Sequence, residues 1–129
     1  HLTVSGEIVS VAVTTTGAAG SATGTGTLVT PSGWIEWLRY DFHASAPATT
    51  DVTIAYADTP PGGTIHATTD TATDVTVFPR AGCVTAANAA ITNSYTRWPA
   101  GEPFTVTVAQ SDALTACVTV YAYVVRHQD

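Results

Sequence analysis

The residues that could carry out acid–base or metal chemistry are few and lie far apart in the chain. Three internal histidines (His43, His66 and His127) lack the H-x-H or H-E-x-x-H spacing of a metal site. No G-x-S-x-G nucleophile motif is present, and the serines fall in predicted loops. Glu36 and Asp41 are candidates for a glycosidase-type carboxylate pair, but their opposite strand parity separates them. We therefore expect no enzyme activity, no cofactor and no metal site.

The aspartates near predicted turns are better explained as turn formers than as calcium ligands. Asp51, Asp58, Asp70 and Asp74 do not follow the D-x-[DN]-x-[DN]-G spacing of a calcium loop. Short side-chain oxygens that accept hydrogen bonds from nearby backbone N–H groups are common at turns. We expect these four residues to stabilise turns.

Cys83 and Cys117 are the two cysteines of the chain. In a secreted module they would form a disulfide that closes a loop of about 35 residues, worth roughly 3–4 kcal/mol in the chain-entropy model. The alternative is two reduced, partly buried thiols that act as small hydrophobic groups. Neither cysteine belongs to a CxxC pair, which argues against zinc. The sequence leaves both alternatives open.

The composition indicates one globular domain over residues 1–129 and excludes two classes of partner. Hydrophobic residues make up 45% of the 129 residues, enough for a core, whereas charged residues make up only 11%. The net charge of -6 disfavours binding to nucleic acid, which needs clustered lysine and arginine. No apolar run approaches the roughly 20 residues of a membrane span. We expect neither nucleic acid nor membrane as a partner.

Two alternating runs near the end of the chain, residues 104–126, predict a β-hairpin that closes a sheet. In the second run, valine and alanine from Val118 to Val124 occupy one face. Tyr121, Tyr123 and Val125 occupy the other face, so both faces are apolar. Such a strand is either buried on both sides or presents one side to a partner.

The rest of the chain contains short alternating segments separated by turn residues. Residues 1–13 predict an edge strand, broken or bulged at Gly6, with an N-terminal arm as the alternative. Residues 14–27 are rich in Gly and Thr and predict a mobile loop. Residues 34–43 favour a strand in which Trp34 and Trp37 have opposite parity, and residues 84–91 predict helical turns or a long loop.

These segments predict an all-β, single-domain fold with eight or nine short strands and little or no helix. Turn signals every 8 to 12 residues are typical of an antiparallel β-sandwich or a small, jelly-roll-like β-barrel. Within the strand at 34–43, Trp37 beside Arg39 is a candidate contact pair, since Trp and Arg are enriched in the energetically important part of interfaces.

Residues 51–125 resemble small structural proteins of tailed-bacteriophage virions, of the capsid-decoration (cement) type. The matching marks are a strand ending in Phe78-Pro79-Arg80 and the segment Tyr95-Thr96-Arg97, followed by a Pro/Gly turn and a last Val/Tyr-rich strand. The resemblance implies a compact β-fold, often a homotrimer, without an active site. It also implies binding to the major capsid protein on the outer surface of a virion that assembles in the host cytoplasm.

Contact residues follow from the resemblance together with the apolar strand. In a trimer we expect Tyr121 and Tyr123 at subunit contacts, with a second core layer as the alternative. Arg80 and Arg97 would pair with coat carboxylates or with the chain's own aspartates. The full set of candidate interface residues is Trp37, Arg39, Arg80, Tyr95, Arg97, Trp98, Tyr121 and Tyr123.

Two other functions remain open from the sequence. One is a secreted β-sandwich binding module, carbohydrate-binding or adhesin-like, supported by the lysine-free composition and three tryptophans. The other is a tail or host-binding component of a virion.

Overall fold

The computed structural model describes residues 3–58 and 63–128, in which every regular element is a β-strand. The strands are β1 (Thr3–Val13), β2 (Ala22–Leu28), β3 (Gly33–Phe42), β4 (Asp51–Tyr56), β5 (Thr64–Thr68), β6 (Val75–Val77), β7 (Arg80–Val84), β8 (Ala90–Arg97), β9 (Pro99–Ala100), β10 (Phe104–Ser111) and β11 (Val118–Gln128). The described residues thus include more strands than the eight or nine predicted. They include no helix that is long and apolar enough to cross a membrane.

Two antiparallel sheets enclose the hydrophobic core. The first sheet has the order β1-β11-β3-β6, with β9 added beside β3, and the second sheet has the order β2-β10-β4-β5. Side chains from both sheets form one buried cluster, which includes Ile35, Leu38, Tyr40, Val52, Ile54, Phe104, Val106, Val108, Val118, Val120 and Val124. The all-β sandwich prediction is confirmed.

The predicted hairpin of residues 104–126 is wrong, because its two strands belong to different sheets. β10 pairs with β2 and β4, whereas β11 pairs with β1 and β3. The connection between them crosses the edge of the sandwich and bonds to the β1–β2 loop, where Thr15 N donates to Leu114 O at 3.0 Å. Alternation shows which side of each strand is buried, but not which strand it pairs with.

The Gly/Thr-rich segment is also more ordered than predicted, since β2 begins at Ala22 within it. Gly26 lies under β1, where an added Cβ would come within 3.0 Å of a Val11 methyl and 3.1 Å of a Val13 methyl. A Cβ at Gly24 would collide with the Thr14 carbonyl. These glycines therefore permit close packing between strands, although their composition is typical of a loop.

Neither helical turns nor a long loop forms at residues 84–91. β7 and β8 instead pair as an antiparallel hairpin outside the two main sheets, here called the arm (residues 80–97). Its turn is held by Thr85 N, which donates to Ala89 O at 2.8 Å, and by Asn88 N, which donates to Thr85 O at 2.9 Å. Asn88 has a φ of 67°, a conformation that asparagine tolerates better than most residues. The predicted strand near Tyr95 is part of β8.

Candidate functional site

The side of the first sheet that points away from the core, here called the outer face, carries the apolar side of β11. Val120, Ala122 and Val124 of this strand are buried in the core. Tyr121 and Tyr123 alternate with them and are only half-buried. Neither tyrosine therefore lies in a second core layer, and both lie where a partner could contact them.

A bulge in β3 brings two tryptophans to the outer face. Trp37 pairs with Tyr123 and Trp34 pairs with Val125, while the extra residue, Glu36, has no opposite neighbour on β11. Trp34 and Trp37 therefore point to the same side, contrary to the parity expected from the sequence. An extra residue shifts the alternation by one position, and no local composition signal announces it.

The centre of the outer face is a shallow depression of about 310 Å³, lined by Ile8, Trp37, Arg39, Asp41 and Tyr121. Its lining comes from β1, β3 and β11, which are neighbours in the first sheet. Ile8 is 57% exposed, so this apolar surface is open to solvent. The depression is too shallow to enclose a ligand and suits a protruding side chain or a flat ring.

Tyr123 borders the depression and is fixed by two contacts. Its ring centroid lies 5.4 Å from that of Trp37, with the planes tilted by 34°. Its ring also covers Gly6, where any Cβ would collide with it. The register of β1 against β11 is unbroken from Thr3 to Val13. The break or bulge predicted at Gly6 is therefore absent. Gly6 instead provides the space that Tyr123 occupies.

Arg39 and Asp41 form a neutral polar rim beside the depression. Arg39 Nε donates to Asp41 Oδ1 at 2.7 Å, and Arg39 Nη1 donates to Thr76 Oγ1 at 3.2 Å on the neighbouring strand β6. Both charged side chains are about 40% exposed, so the pair contributes little to stability. Its effect is to hold the guanidinium beside the carboxylate, so that the rim has no net charge.

Arg80 and Arg97 attach the arm to the bulge at Glu36. Arg80 Nη2 lies 3.2 Å and Arg97 Nη1 lies 3.8 Å from Glu36 Oε2. Arg80 also donates to the Glu36 carbonyl at 3.1 Å. One of the two expectations was that these arginines pair with aspartates of the same chain. They do pair within the chain, but their partner is a glutamate. The sequence did not suggest that the bulge residue would serve as their common partner.

The other candidate contact residues lie apart from the outer face. Tyr95 is 65% exposed on the arm. Trp98 packs against the core, with its ring centroid 6.2 Å from that of Tyr56, so it is not on the same surface as Trp37. The eight predicted interface residues therefore divide into an outer-face group, an arm group and one residue beside the core.

Of the two alternatives that the sequence leaves open for Cys83 and Cys117, the structure has free thiols and no disulfide. Cys117 is buried directly before β11, and its sulfur lies 3.2 Å from Ser111 Oγ. Cys83 is half-buried in β7, on the arm. The structure therefore matches the alternative of two reduced thiols.

His66 is the one histidine with a specific buried partner in the described part of the chain. Its Nδ1 lies 2.7 Å from the hydroxyl oxygen of Tyr40, a fully buried residue. Burial lowers the pKa of His66 and raises the pKa of Tyr40, so both side chains are held neutral. The pair satisfies two polar groups at the edge of the core and does not resemble a catalytic dyad. The side chain of His127 lies outside the described residues.

Two of the four aspartates predicted to stabilise turns, Asp51 and Asp74, accept hydrogen bonds from backbone that is distant in sequence. Asp51 Oδ1 accepts a hydrogen bond from Asp70 N at 2.9 Å, and Asp74 Oδ1 accepts one from Phe42 N at 2.7 Å. In the described residues, no three His, Cys, Asp or Glu side chains are grouped so that they could hold a metal ion. These carboxylates therefore organise backbone near strand ends.

Comparison with known proteins provides only distant matches. No protein-family model matches the sequence, and no curated protein matches it significantly. One similar solved structure is a mutant of a family 29 carbohydrate-binding module, with 11% identity, a TM-score of 0.36, and coverage of 98% of this chain and 93% of that chain. Another mutant of that module, complexed with cellulohexaose, has 11% identity, a TM-score of 0.37, and coverage of 98% and 91%. These likenesses concern the β-sandwich fold alone.

Proposed function

We propose that the chain is a non-enzymatic structural protein of a tailed-bacteriophage virion, which binds the outer surface of the capsid and stabilises it. The observation that carries the proposal is the uncovered outer face. Where one side of an antiparallel sheet faces solvent, its outward positions are normally polar. Here the outward positions of β11 and β3 hold Tyr121, Tyr123, Trp34 and Trp37, with Ile8 of β1 beside them.

The residue types on the outer face support protein binding. Trp, Tyr and Arg are the types that contribute most to the binding energy of protein interfaces, especially when they cluster. Trp37, Arg39 and Tyr121 line one depression, and Tyr123 packs against Trp37. The resemblance of residues 51–125 to capsid-decoration proteins supports a coat protein as the partner and the virion surface as the location.

Cosedimentation with capsids tests this proposal. Expanded capsids of the encoding phage, prepared without this protein, are mixed with the purified chain, and bound protein is measured in the pellet. We expect saturable binding that raises the temperature at which the capsid disassembles. Trp37→Ala should weaken binding at least about tenfold, because it removes a large interface side chain.

Val29→Ser is the matched control for loss of an exposed hydrophobic side chain. Val29 is 69% exposed and follows β2, in the second sheet, so its removal should leave capsid binding unchanged. Failure of the wild-type chain to sediment with capsids, or equal binding by Trp37→Ala and wild type, would contradict the proposal.

The bulge at Glu36 favours one second candidate, carbohydrate binding. It places Trp34 and Trp37 on the same face, beside the Arg39–Asp41 pair. Aromatic rings bind the apolar faces of sugars, and charged or amide groups bind their hydroxyls. Affinity electrophoresis in gels containing soluble polysaccharides would detect this activity as a retarded band. Unretarded migration in cellulose-, mannan- and peptidoglycan-derived polymers would rule against it.

A further inference from the structure

Two arginines lie directly opposite each other at the base of the arm. Arg80 of β7 pairs with Arg97 of β8 in the antiparallel register, so their side chains leave the same face of the hairpin. Like charges at directly opposed positions destabilise a strand pair. Glu36 brings one negative charge to the two guanidinium groups, so the cluster keeps one positive charge in a chain whose net charge is -6. Residues 81–96 contain no Asp or Glu that could neutralise it.

The two arginines differ in how far the chain satisfies their N–H groups. Arg80 Nη1 donates to the carbonyl oxygens of Pro79 at 2.8 Å and Glu36 at 3.1 Å, and its Nη2 donates to Glu36 Oε2 at 3.2 Å. Arg97 Nη1 lies 3.8 Å from the same carboxylate oxygen, which is too far for a hydrogen bond. The Arg97 side chain is 32% exposed, so its guanidinium is free to bind an anion from solvent.

Beyond the arginines, the same face of the arm is open. Gly82 and Tyr95 are the next residues on this face, and they also pair with each other. A Cβ added at Gly82 would meet no atom within 4 Å, so no side chain covers the backbone there. Tyr95 is 65% exposed. The open space at Gly82, here called the notch, is therefore bordered by an exposed aromatic residue and, one step along the strand pair, by the arginines.

A ring that carries a carboxylate fits this arrangement. Positions 95 and 97 are about 7 Å apart along the strand, a distance that one sugar residue with its carboxylate can span. The apolar face of a sugar ring packs on an aromatic side chain, while placed polar groups fix its orientation. A guanidinium binds a carboxylate through two parallel hydrogen bonds. An aspartate or glutamate side chain of a protein carries no ring, so it would leave the notch empty.

Charge limits the kind of acidic ligand that this site can take. The cluster offers one positive charge, and the rest of the chain is strongly acidic. That surrounding charge would repel a dense polyanion such as nucleic acid. An oligosaccharide with a carboxylate on every second residue brings one carboxylate to the arginines and keeps the others apart.

We propose that the base of the arm is a binding site for oligosaccharides that contain uronic acid. Arg97 binds the carboxylate, Tyr95 packs on the sugar ring, and the notch at Gly82 provides the space for it. Arg80 and Glu36 position this end of the arm. None of these residues lines the outer-face depression. The site is therefore a second binding surface, and it does not depend on the proposed capsid function.

Calorimetric titration with a hyaluronan hexasaccharide, in which glucuronate alternates with an uncharged sugar, tests the site. The matched ligand is the same hexasaccharide with its carboxylates reduced to hydroxymethyl groups. We expect the native form to bind at least about tenfold more tightly, because the reduced form loses the charged hydrogen bonds to Arg97. Equal binding of the two forms, or no binding of the native form, would overturn the proposal. Hexaglutamate bound as tightly as the native hexasaccharide would also overturn it, since the sugar ring would then contribute nothing.

Two variants separate the contributions of charge and space. Arg97→Gln should weaken binding at least about tenfold, whereas Arg126→Gln, at an exposed arginine on β11, removes the same charge and should bind like the wild type. Gly82→Val fills the notch with a residue that favours strands and whose Cβ meets no other atom, so the arm should stay folded while binding is lost. Unchanged binding by Arg97→Gln or Gly82→Val, or an equal loss in Arg126→Gln, would contradict the site.

Nuclear magnetic resonance of the wild type locates the sugar without any substitution. The backbone amide signals of Gly82, Tyr95 and Arg97 should shift most during titration with the hexasaccharide, while those of β10 stay in place. Largest shifts at Trp37 would put the sugar on the outer face and overturn the arm site. Capsid binding is measured separately, so a chain that binds capsids but not the hexasaccharide keeps the virion function and overturns only this inference.

Discussion

Gly24 shows how a single missing side chain allows β1 to pack over β2. A Cβ at this position would collide with the Thr14 carbonyl and approach a Val13 methyl to 3.1 Å. We expect Gly24→Ala to lower the free energy of unfolding by about 2 kcal/mol, because backbone must shift to accept the methyl group. Urea denaturation followed by tryptophan fluorescence would measure the loss.

Gly82→Ala is the control for this substitution. Gly82 also lies in a strand, but an added Cβ there meets no atom within 4 Å. Its effect should stay within about 0.5 kcal/mol. Equal losses for the two variants would show that close packing is not the reason for glycine at position 24.

His66 makes stability depend on pH. Burial lowers its pKa in the folded state, whereas the unfolded chain titrates near 6.5. Below about pH 6.5 the unfolded state therefore binds a proton that the folded state resists, and stability falls as pH falls toward the folded pKa. His66→Gln should show a shallower decline in the urea midpoint between neutral and mildly acidic pH. An identical decline in both proteins would exclude His66 as its source.

At the scale of elements, the arm is joined to the first sheet through Glu36. Glu36→Gln removes the negative charge that Arg80 and Arg97 share, so the arm should open more often. Because all three side chains are about one-third exposed, the cost in global stability should stay below about 1 kcal/mol. Hydrogen exchange should accelerate in β7 and β8 while β10 and β11 stay protected. Glu7→Gln, an exposed position on β1, provides the same charge change as a control.

β11 provides a matched comparison between its two faces. The double variant Tyr121→Ser, Tyr123→Ser changes only the outer face, and we expect it to remain folded while capsid binding weakens. Val120→Ser, Val124→Ser changes the buried face of the same strand. It should cost several kcal/mol, about 2 or more per site, and lose the folded circular dichroism spectrum. A double tyrosine variant that unfolds would place those side chains in the core and remove the interface.

The elements differ in how far the sequence alone could predict them. Alternation predicted β4, β10 and β11, because inward and outward positions have period two. It also predicted the buried side of β4 and β10, whereas for β11, with apolar residues on both faces, it left open burial on one side or on both. The prediction that β10 and β11 pair with each other was wrong. Both strands bury the same apolar residue types, and the sheet to which each belongs is determined by partner strands that are distant in sequence. The bulge at Glu36 had no composition signal, so the face shared by Trp34 and Trp37 could not be predicted.

At the scale of the whole molecule, the two candidate surfaces, the outer face and the arm, surround a sandwich with a single buried core. Sequence patterns predicted Tyr121, Tyr123 and Trp37 as candidate contact residues. The depression beside them is formed by three strands that are distant in sequence, so the sequence could not predict it. The arm was harder to anticipate, because its Ala- and Thr-rich composition fits helix, loop and strand almost equally. Only the structure shows that it pairs as a hairpin outside both main sheets.

The position of β11 between β1 and β3 has a consequence for how the protein is made. When β1 to β10 have emerged from the ribosome, all strands of the second sheet are present, but the first sheet still lacks β11, which lies between β1 and β3. β1 therefore waits for a partner that emerges more than a hundred residues later, as the pairing of Val13 with Val118 shows. Nascent chains stalled before β11 should remain sensitive to protease, and resistance should appear in one step once Val125 has left the exit tunnel.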